Sequence, residues 1–170
     1  MTHISELHLE HARNLFLSER SRRESMRASL STPVAAISFA VFALSSLSVQ
    51  MDVEHWRQWS ALTLILLETA AVLALFTSAY QVVMSEWLFV YHDPPRVPDL
   101  LDHAEEDGEA DAEARIRGLL VASYAVAYEQ YLRGNTDSAR RRTWALRLIL
   151  LSLLIQAVAF LILPFHRAGW

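Results

Sequence analysis

Glu68 is the residue that most invites a chemical reading, because it is the single charged side chain between Arg57 and Glu86 in an otherwise apolar stretch. If a membrane-spanning helix begins near Trp59, this side chain lies about 13 Å below the surface, close to mid-depth. There a charge costs several kcal/mol unless it is paired, hydrated or protonated. Gln156 stands seven residues before Leu163, about 11 Å in from the end of another apolar stretch, and so falls near the same level. The two can share a hydrogen bond, and Ser45 and Ser46 of the first apolar stretch can join them. Three chemistries fit an acid so placed: neutral hydrogen-bonding glue between helices, a ring of carboxylates around a water-filled pore in a homo-oligomer, or a proton or substrate site in a transporter. Three helices do not readily enclose a water path by themselves, so a pore requires several copies of the chain and glue does not.

Other candidate groups carry less. Arg140, Arg141 and Arg142 form the basic patch before the last apolar stretch. They suit an anchor for anionic lipid headgroups most simply, and a site for a phosphate-bearing signal less simply. His8 and His11 stand at i, i+3 without a third ligand, a weak metal signal. With Gly108 in the sixth position of an EF-hand loop, His103 would be first and Ala114 twelfth, and neither supplies the needed carboxylate. The sequence has no cysteine, which excludes disulfides, thiolate metal sites and cysteine nucleophiles. No nucleophile motif, glycine-rich phosphate loop or rigid pair of catalytic carboxylates is found. The expectation is therefore no enzyme, no catalytic residue, no metal and no cofactor.

The elements that must position these residues follow from the apolar blocks. No charged residue occurs from Ala28 to Met51, a second block surrounds Glu68, and a third runs from Leu148 to Phe165. The first two exceed the roughly 20 residues of a spanning helix, and the third reaches about 27 Å, with Arg147 snorkelling to the interface. These blocks are apolar around the whole circumference, unlike the one-sided helices of a soluble bundle. About thirty polar residues precede the first block, which does not fit a cleaved signal peptide. The fold class is all-α, an integral membrane protein with three transmembrane helices plus cytoplasmic N-terminal and middle helices.

All fifteen basic residues are arginine, and only Arg57 and Arg167 lie outside the N-terminal arm and the region between the second and third blocks. The positive-inside tendency then places the N-terminus and the middle region in the cytoplasm, and the C-terminus outside, across a bacterial inner (cytoplasmic) membrane. Trp56, Trp59 and Trp170 fall at the outer interface and Trp87 and Trp144 at the inner one, leaving none at mid-membrane.

The organisation expected is a cytoplasmic N-terminal helix over 1–32, a transmembrane hairpin over 33–90, a cytoplasmic acidic loop and amphipathic helix over 91–143, and a third span with an outer tail over 144–170. Thr32 and Pro33 supply an N-cap and a first-turn proline for the first span. Asp99 to Glu113 holds eight acids and no arginine or lysine, the mark of a solvated loop. From Ala112 to Leu132, Ile116, Leu120, Ala127 and Tyr131 recur at helical spacing, with Gly134 as C-cap and Thr136 or Asp137 capping the next helix. This amphipathic helix packs on the N-terminal arm or on a neighbouring subunit, or serves as a sensing surface. Close helix contacts are expected along Ala70, Ala74 and Ser78 on the second span and along Ser152, Gln156 and Ala159 on the third.

Ala12-Arg13-Asn14-Leu15-Phe16, followed by Glu19-Arg20-Ser21-Arg22-Arg23-Glu24-Ser25 and a span, resembles the N-termini of small helical membrane proteins of bacterial antiphage loci. So does Tyr128-Glu129-Gln130-Tyr131, followed by Asn135 and Ala139-Arg140-Arg141-Arg142 before a last span. Such proteins include the SLATT-type effectors and the membrane partner of Hailong-type defence. The resemblance covers the order of elements along most of the chain. It implies an oligomeric effector whose spans form a channel or disrupt the inner membrane, under control of a nucleotide signal made by a neighbouring synthase. SLATT-type proteins often carry two spans before their cytoplasmic helices, and the third span here departs from that pattern.

The functional expectation is a homo-oligomeric gated membrane pore or membrane-perturbing effector, with the cytoplasmic helices as gate. The alternative is a non-conducting anchor or scaffold subunit for a soluble partner. The expected partners are membrane lipids, further copies of the chain, and a nucleotide signal or cytoplasmic protein. No contact with duplex DNA is expected.

Overall fold

The computed structural model describes residues 6–50, 58–87, 94, 95 and 109–168. Among these residues the chain forms helices without strands: α1 (Glu6–Ala28), α2 (Ser31–Val49), α3 (Trp59–Trp87) and α4 (Glu109–Arg167). Three helical segments are long and apolar enough to cross a membrane. The nineteen residues of α2 contain no charge and reach about 28 Å, close to a hydrocarbon thickness of about 30 Å. The 29 residues of α3 exceed that length, and its first and last residues, Trp59 and Trp87, are both exposed, as suits indole rings at two interfaces.

Several local expectations differ from what the chain does. Thr32 is not the N-cap of the first span, because α1 and α2 are separated only by the turn at Ser29 and Leu30, and α2 starts at Ser31 with Leu30 as a cap that makes no side-chain hydrogen bond. The Thr32 and Val34 amides instead donate to the Ser29 and Leu30 carbonyls. Gly134 does not end a helix either. It is buried inside α4, which continues to Arg167, and Thr136 donates to the Leu132 carbonyl rather than capping a new helix. Tertiary packing overrides glycine's modest helical penalty of about 1 kcal/mol. α4 begins at Glu109, three residues ahead of the sequence expectation. Of the acidic stretch, residues 99–108 lie outside the described residues, as do Asp52, Glu54, Trp56 and Trp170.

The described chain falls into two compact units. The first contains residues 6–28 and 109–137. There α1 packs on the start of α4 through buried Phe16, Ala127 and Tyr131, flanked by Tyr124 and Tyr128. The Phe16 ring meets Tyr131 edge-on at 5.4 Å and Tyr124 tilted at 5.6 Å, the geometry that the aromatic quadrupole favours. Below this cluster the Asn135 amide donates to both the backbone carbonyl and the Oε2 of Glu19, at 2.8 Å each.

The second unit contains residues 29–50, 58–87 and 138–168. Its buried positions recur every seven residues: Pro33, Ala40 and Leu47 on α2; Leu64, Ala71, Ser78 and Ser85 on α3; Ser138, Ala145, Ser152, Ala159 and His166 on α4. A period of 3.5 keeps one seam turned toward the neighbouring helix, as in a coiled coil. The two longer seams consist mostly of alanine and serine, so the backbones of α3 and α4 approach closely. Leu47, Leu64, Ala159 and Leu163 fill one end of the bundle, with Leu67 and Ile162 against them. Phe39, Phe42, Phe76 and Leu161 point outward, where hydrocarbon rather than water suits them.

Candidate functional site

The α3–α4 seam orders the polar chemistry of the second unit. Ser78 donates to the Ala145 carbonyl at 3.0 Å, Ser152 to the Ala71 carbonyl at 3.1 Å, and Ser138 to the Ser85 carbonyl at 2.9 Å. As one residue number rises its partner's falls, so the helices run antiparallel. Each bond needs a side chain small enough for the hydroxyl to reach the facing backbone, which is why serine occupies these steps and leucine does not. Ser78, Ser152 and Ala159 are fully buried and Ala74 is 9% exposed. Ala70 lies on the exposed side of α3, and its neighbour Ala71 takes the seam position.

Glu68 follows the second period-seven row of α3, between Ala61 and Leu75. It is half-buried where α2 meets α3, and Ser48 of α2 donates to its Oε2 at 3.3 Å. The same hydroxyl lies 3.1 Å from the Leu44 carbonyl, so one proton serves two acceptors. The Oε1 of Glu68 is buried without a hydrogen-bond partner among the described residues. Gln156 does not meet Glu68. It is 2% exposed within the α3–α4 seam, donates to Ser152 at 3.2 Å, and its Oε1 is likewise without a partner among the described residues. Ser45 and Ser46 stay apart as well, donating to the Val41 and Phe42 carbonyls of their own helix. That back-bonding satisfies a hydroxyl in apolar surroundings without a second helix.

Ser48 is the partner that sequence reasoning missed. Its signal was the Pro33, Ala40, Leu47 stripe, which turns Ser48 to the edge of the contact that α2 makes. His166 was missed in the same way. Expected in an outer tail, it is 1% exposed, with Nδ1 3.1 Å from the Ser60 hydroxyl, and Arg167 donates to the Gln50 carbonyl at 3.4 Å. Together these contacts tie the last turn of α4 to the ends of α2 and α3.

At the opposite end the arginine trio divides. Arg142 donates to Glu86 at 3.1 Å and to Ser29 at 3.0 Å, with 12% of its side chain exposed. Arg141 donates to Gln81 at 3.4 Å, and Arg140 faces outward. Comparison with protein-family models, curated proteins and solved structures gives no match.

Chemically, then, the second unit holds a half-buried carboxyl group where α2 meets α3, one of its oxygens without a partner among the described residues, and a buried amide in the α3–α4 seam. Among the described residues no group of three or more histidine, aspartate or glutamate side chains is arranged to hold a metal. The Arg142–Glu86 pair joins α3 and α4, and Ser29 adds the turn before α2; a hydrogen bond to a charged group contributes about 1.5–3 kcal/mol. Glu86→Gln is accordingly expected to lower thermal stability in mild detergent by about 1–2 kcal/mol, whereas Arg140→Gln should leave it unchanged.

Proposed function

We propose that the protein is a non-catalytic, homo-oligomeric membrane effector, a gated pore or a membrane-perturbing assembly, acting in antiphage defence under control of a nucleotide signal or partner protein. The observation that carries this reading is Glu68: a carboxyl group well inside an apolar helix, half-exposed, with one oxygen held by Ser48 and the other without a partner among the described residues. In hydrocarbon such a group needs another polar surface or water, because its desolvation is otherwise unrepaid. A second copy of the chain supplies the first, and a hydrated axis between copies supplies the second.

Leu47, Leu64, Ala159 and Leu163 fill one end of a single copy's bundle with apolar side chains, which favours a water path between copies over one within a copy. Conduction therefore belongs to the assembly. The same apolar packing favours a second reading, a non-conducting anchor for a soluble partner, in which Glu68 serves as glue between helices. The two separate on the oligomeric state in mild detergent. A ring of copies around a hydrated axis supports the pore, and a monomer under all mild conditions removes it.

The orientation belongs to this proposal: bacterial inner membrane, N-terminus cytoplasmic and C-terminus outside, following the arginine asymmetry. A reporter active only in the periplasm should be active when fused after Trp170 and silent when inserted near Gly108. The reverse pattern would invert the topology.

A further inference from the structure

The division of the arginine trio narrows the headgroup anchor expected from the sequence to one face of α4 and brings Trp144 and Arg147 into it. Arg140, Trp144 and Arg147 stand at i, i+4 and i+7 on α4 and are all exposed, on the side away from the seam carried by Ser138, Ala145 and Ile149. The Arg147 guanidinium lies over the Trp144 ring, 5.5 Å from its centroid, within the reach of a cation–π contact. One step further along the same stripe are Leu151 and Leu154, 48% and 57% exposed. The face therefore carries two outward cations on either side of an indole, followed by bare aliphatic side chains.

We propose that Arg140, Trp144 and Arg147 bind the phosphate of an anionic glycerophospholipid, with Leu151 and Leu154 against its acyl chain. This rests on the membrane-spanning reading above. The stripe sets a cationic and aromatic cluster next to bare aliphatic side chains, as a lipid sets its phosphate and amphipathic interface next to its hydrocarbon. Arg142 takes no part, because Glu86 and Ser29 already hold it. A soluble phosphate ligand calls for donors converging on a concavity, where charge-assisted bonds gain strength from exclusion of water. Here the two guanidinium groups project from a convex helix face, with apolar surface beneath them that a free phosphate would leave uncovered.

The test uses the full-length protein reconstituted in vesicles of equimolar phosphatidylcholine and phosphatidylglycerol, extracted in mild detergent, with the lipids retained by the protein then counted by class. Each arginine near an anionic surface should enrich phosphatidylglycerol about fivefold. The parent is therefore expected to retain it well above the vesicle ratio. The double change Arg140→Gln with Arg147→Gln should return the ratio to near unity, while Arg140→Lys with Arg147→Lys keeps most of the enrichment and Arg142→Gln leaves it intact. Equal retention of both lipids by the parent, or enrichment that survives the double glutamine change, overturns the proposal. So does enrichment that disappears when phosphate replaces chloride at constant ionic strength, which would assign the face to a soluble phosphate ligand. Extraction of the protein from vesicles by carbonate at high pH would instead refute the membrane reading on which the site depends.

Discussion

Ser152→Leu is expected to destroy the pairing of α3 with α4, with the protein recovered in low yield and as mixed species. The step is filled by a fully buried serine whose hydroxyl donates to the Ala71 carbonyl and receives a bond from Gln156. Leucine forces the backbones apart, an overpacking cost of about 1–3 kcal/mol. It also removes the interhelical bond, at roughly 0.6–1.7 kcal/mol by membrane-protein precedent, and leaves the buried Gln156 amide without the acceptor it donates to. Against a total stability of about 5–15 kcal/mol these losses are large. Ser152→Ala keeps the close approach and loses only the bonds, so a cost of about 1 kcal/mol is expected. Thermal unfolding and size-exclusion profiles in one mild detergent distinguish the two. Leucine tolerated as well as alanine would mean that the seam is not closely packed.

The seam also separates folding from association. Ala74 is buried within one copy while Ala70 is exposed. Ala74→Leu should therefore fail as Ser152→Leu does, whereas Ala70→Leu should leave each copy folded and alter only its contacts with other copies.

How far the sequence foretold this arrangement depends on the length scale. The three apolar segments were legible because charge is excluded from windows of about 20 residues, a signal that needs no partner helix. The rotation of each helix was less so, since a shift of one residue turns a side chain by about 100°: Ala74, Ser78, Ser152, Gln156 and Ala159 are buried, and Ala70 is exposed. Ala70, Ala74 and Ser78 make a spacing of four, of which Ala74 and Ser78 are buried, and Ala71, Ser78 and Ser85 form a row of spacing seven that takes Ala70's place once α4 is laid antiparallel. Glu68 stood out by its charge alone. Its partner depended on the facing edge of α2, and Ser48 rather than Ser45 or Ser46 lies there. Gly134 misled for a local reason: it reads as a stop, yet the seven-residue repeat carries through Asn135 and Ser138 into the span.

Glu68→Gln is expected to separate pore from glue, because glutamine keeps the size of the side chain and can still accept from Ser48. If the carboxylate faces a hydrated axis, the change removes one negative charge per copy. Cation conductance or cation selectivity should then fall severalfold while the oligomer persists. If Glu68 is neutral glue, assembly and activity survive nearly intact. Glu68→Leu extends the comparison: it relieves the cost of a polar group in hydrocarbon and so should not harm insertion, but it leaves Ser48 only the Leu44 carbonyl of its own helix and makes a pore harder to wet.

The most direct test of the account is ion flux through liposomes holding the purified full-length protein, measured for the parent, Glu68→Gln and Glu68→Leu forms whose oligomeric states are known, with and without the cognate signal. The account predicts cation flux in the parent, reduced flux in the glutamine form and little in the leucine form, all three remaining oligomeric. A parent that is inserted and assembled yet carries no ions under any gating condition would contradict the pore and leave the protein as a non-conducting scaffold.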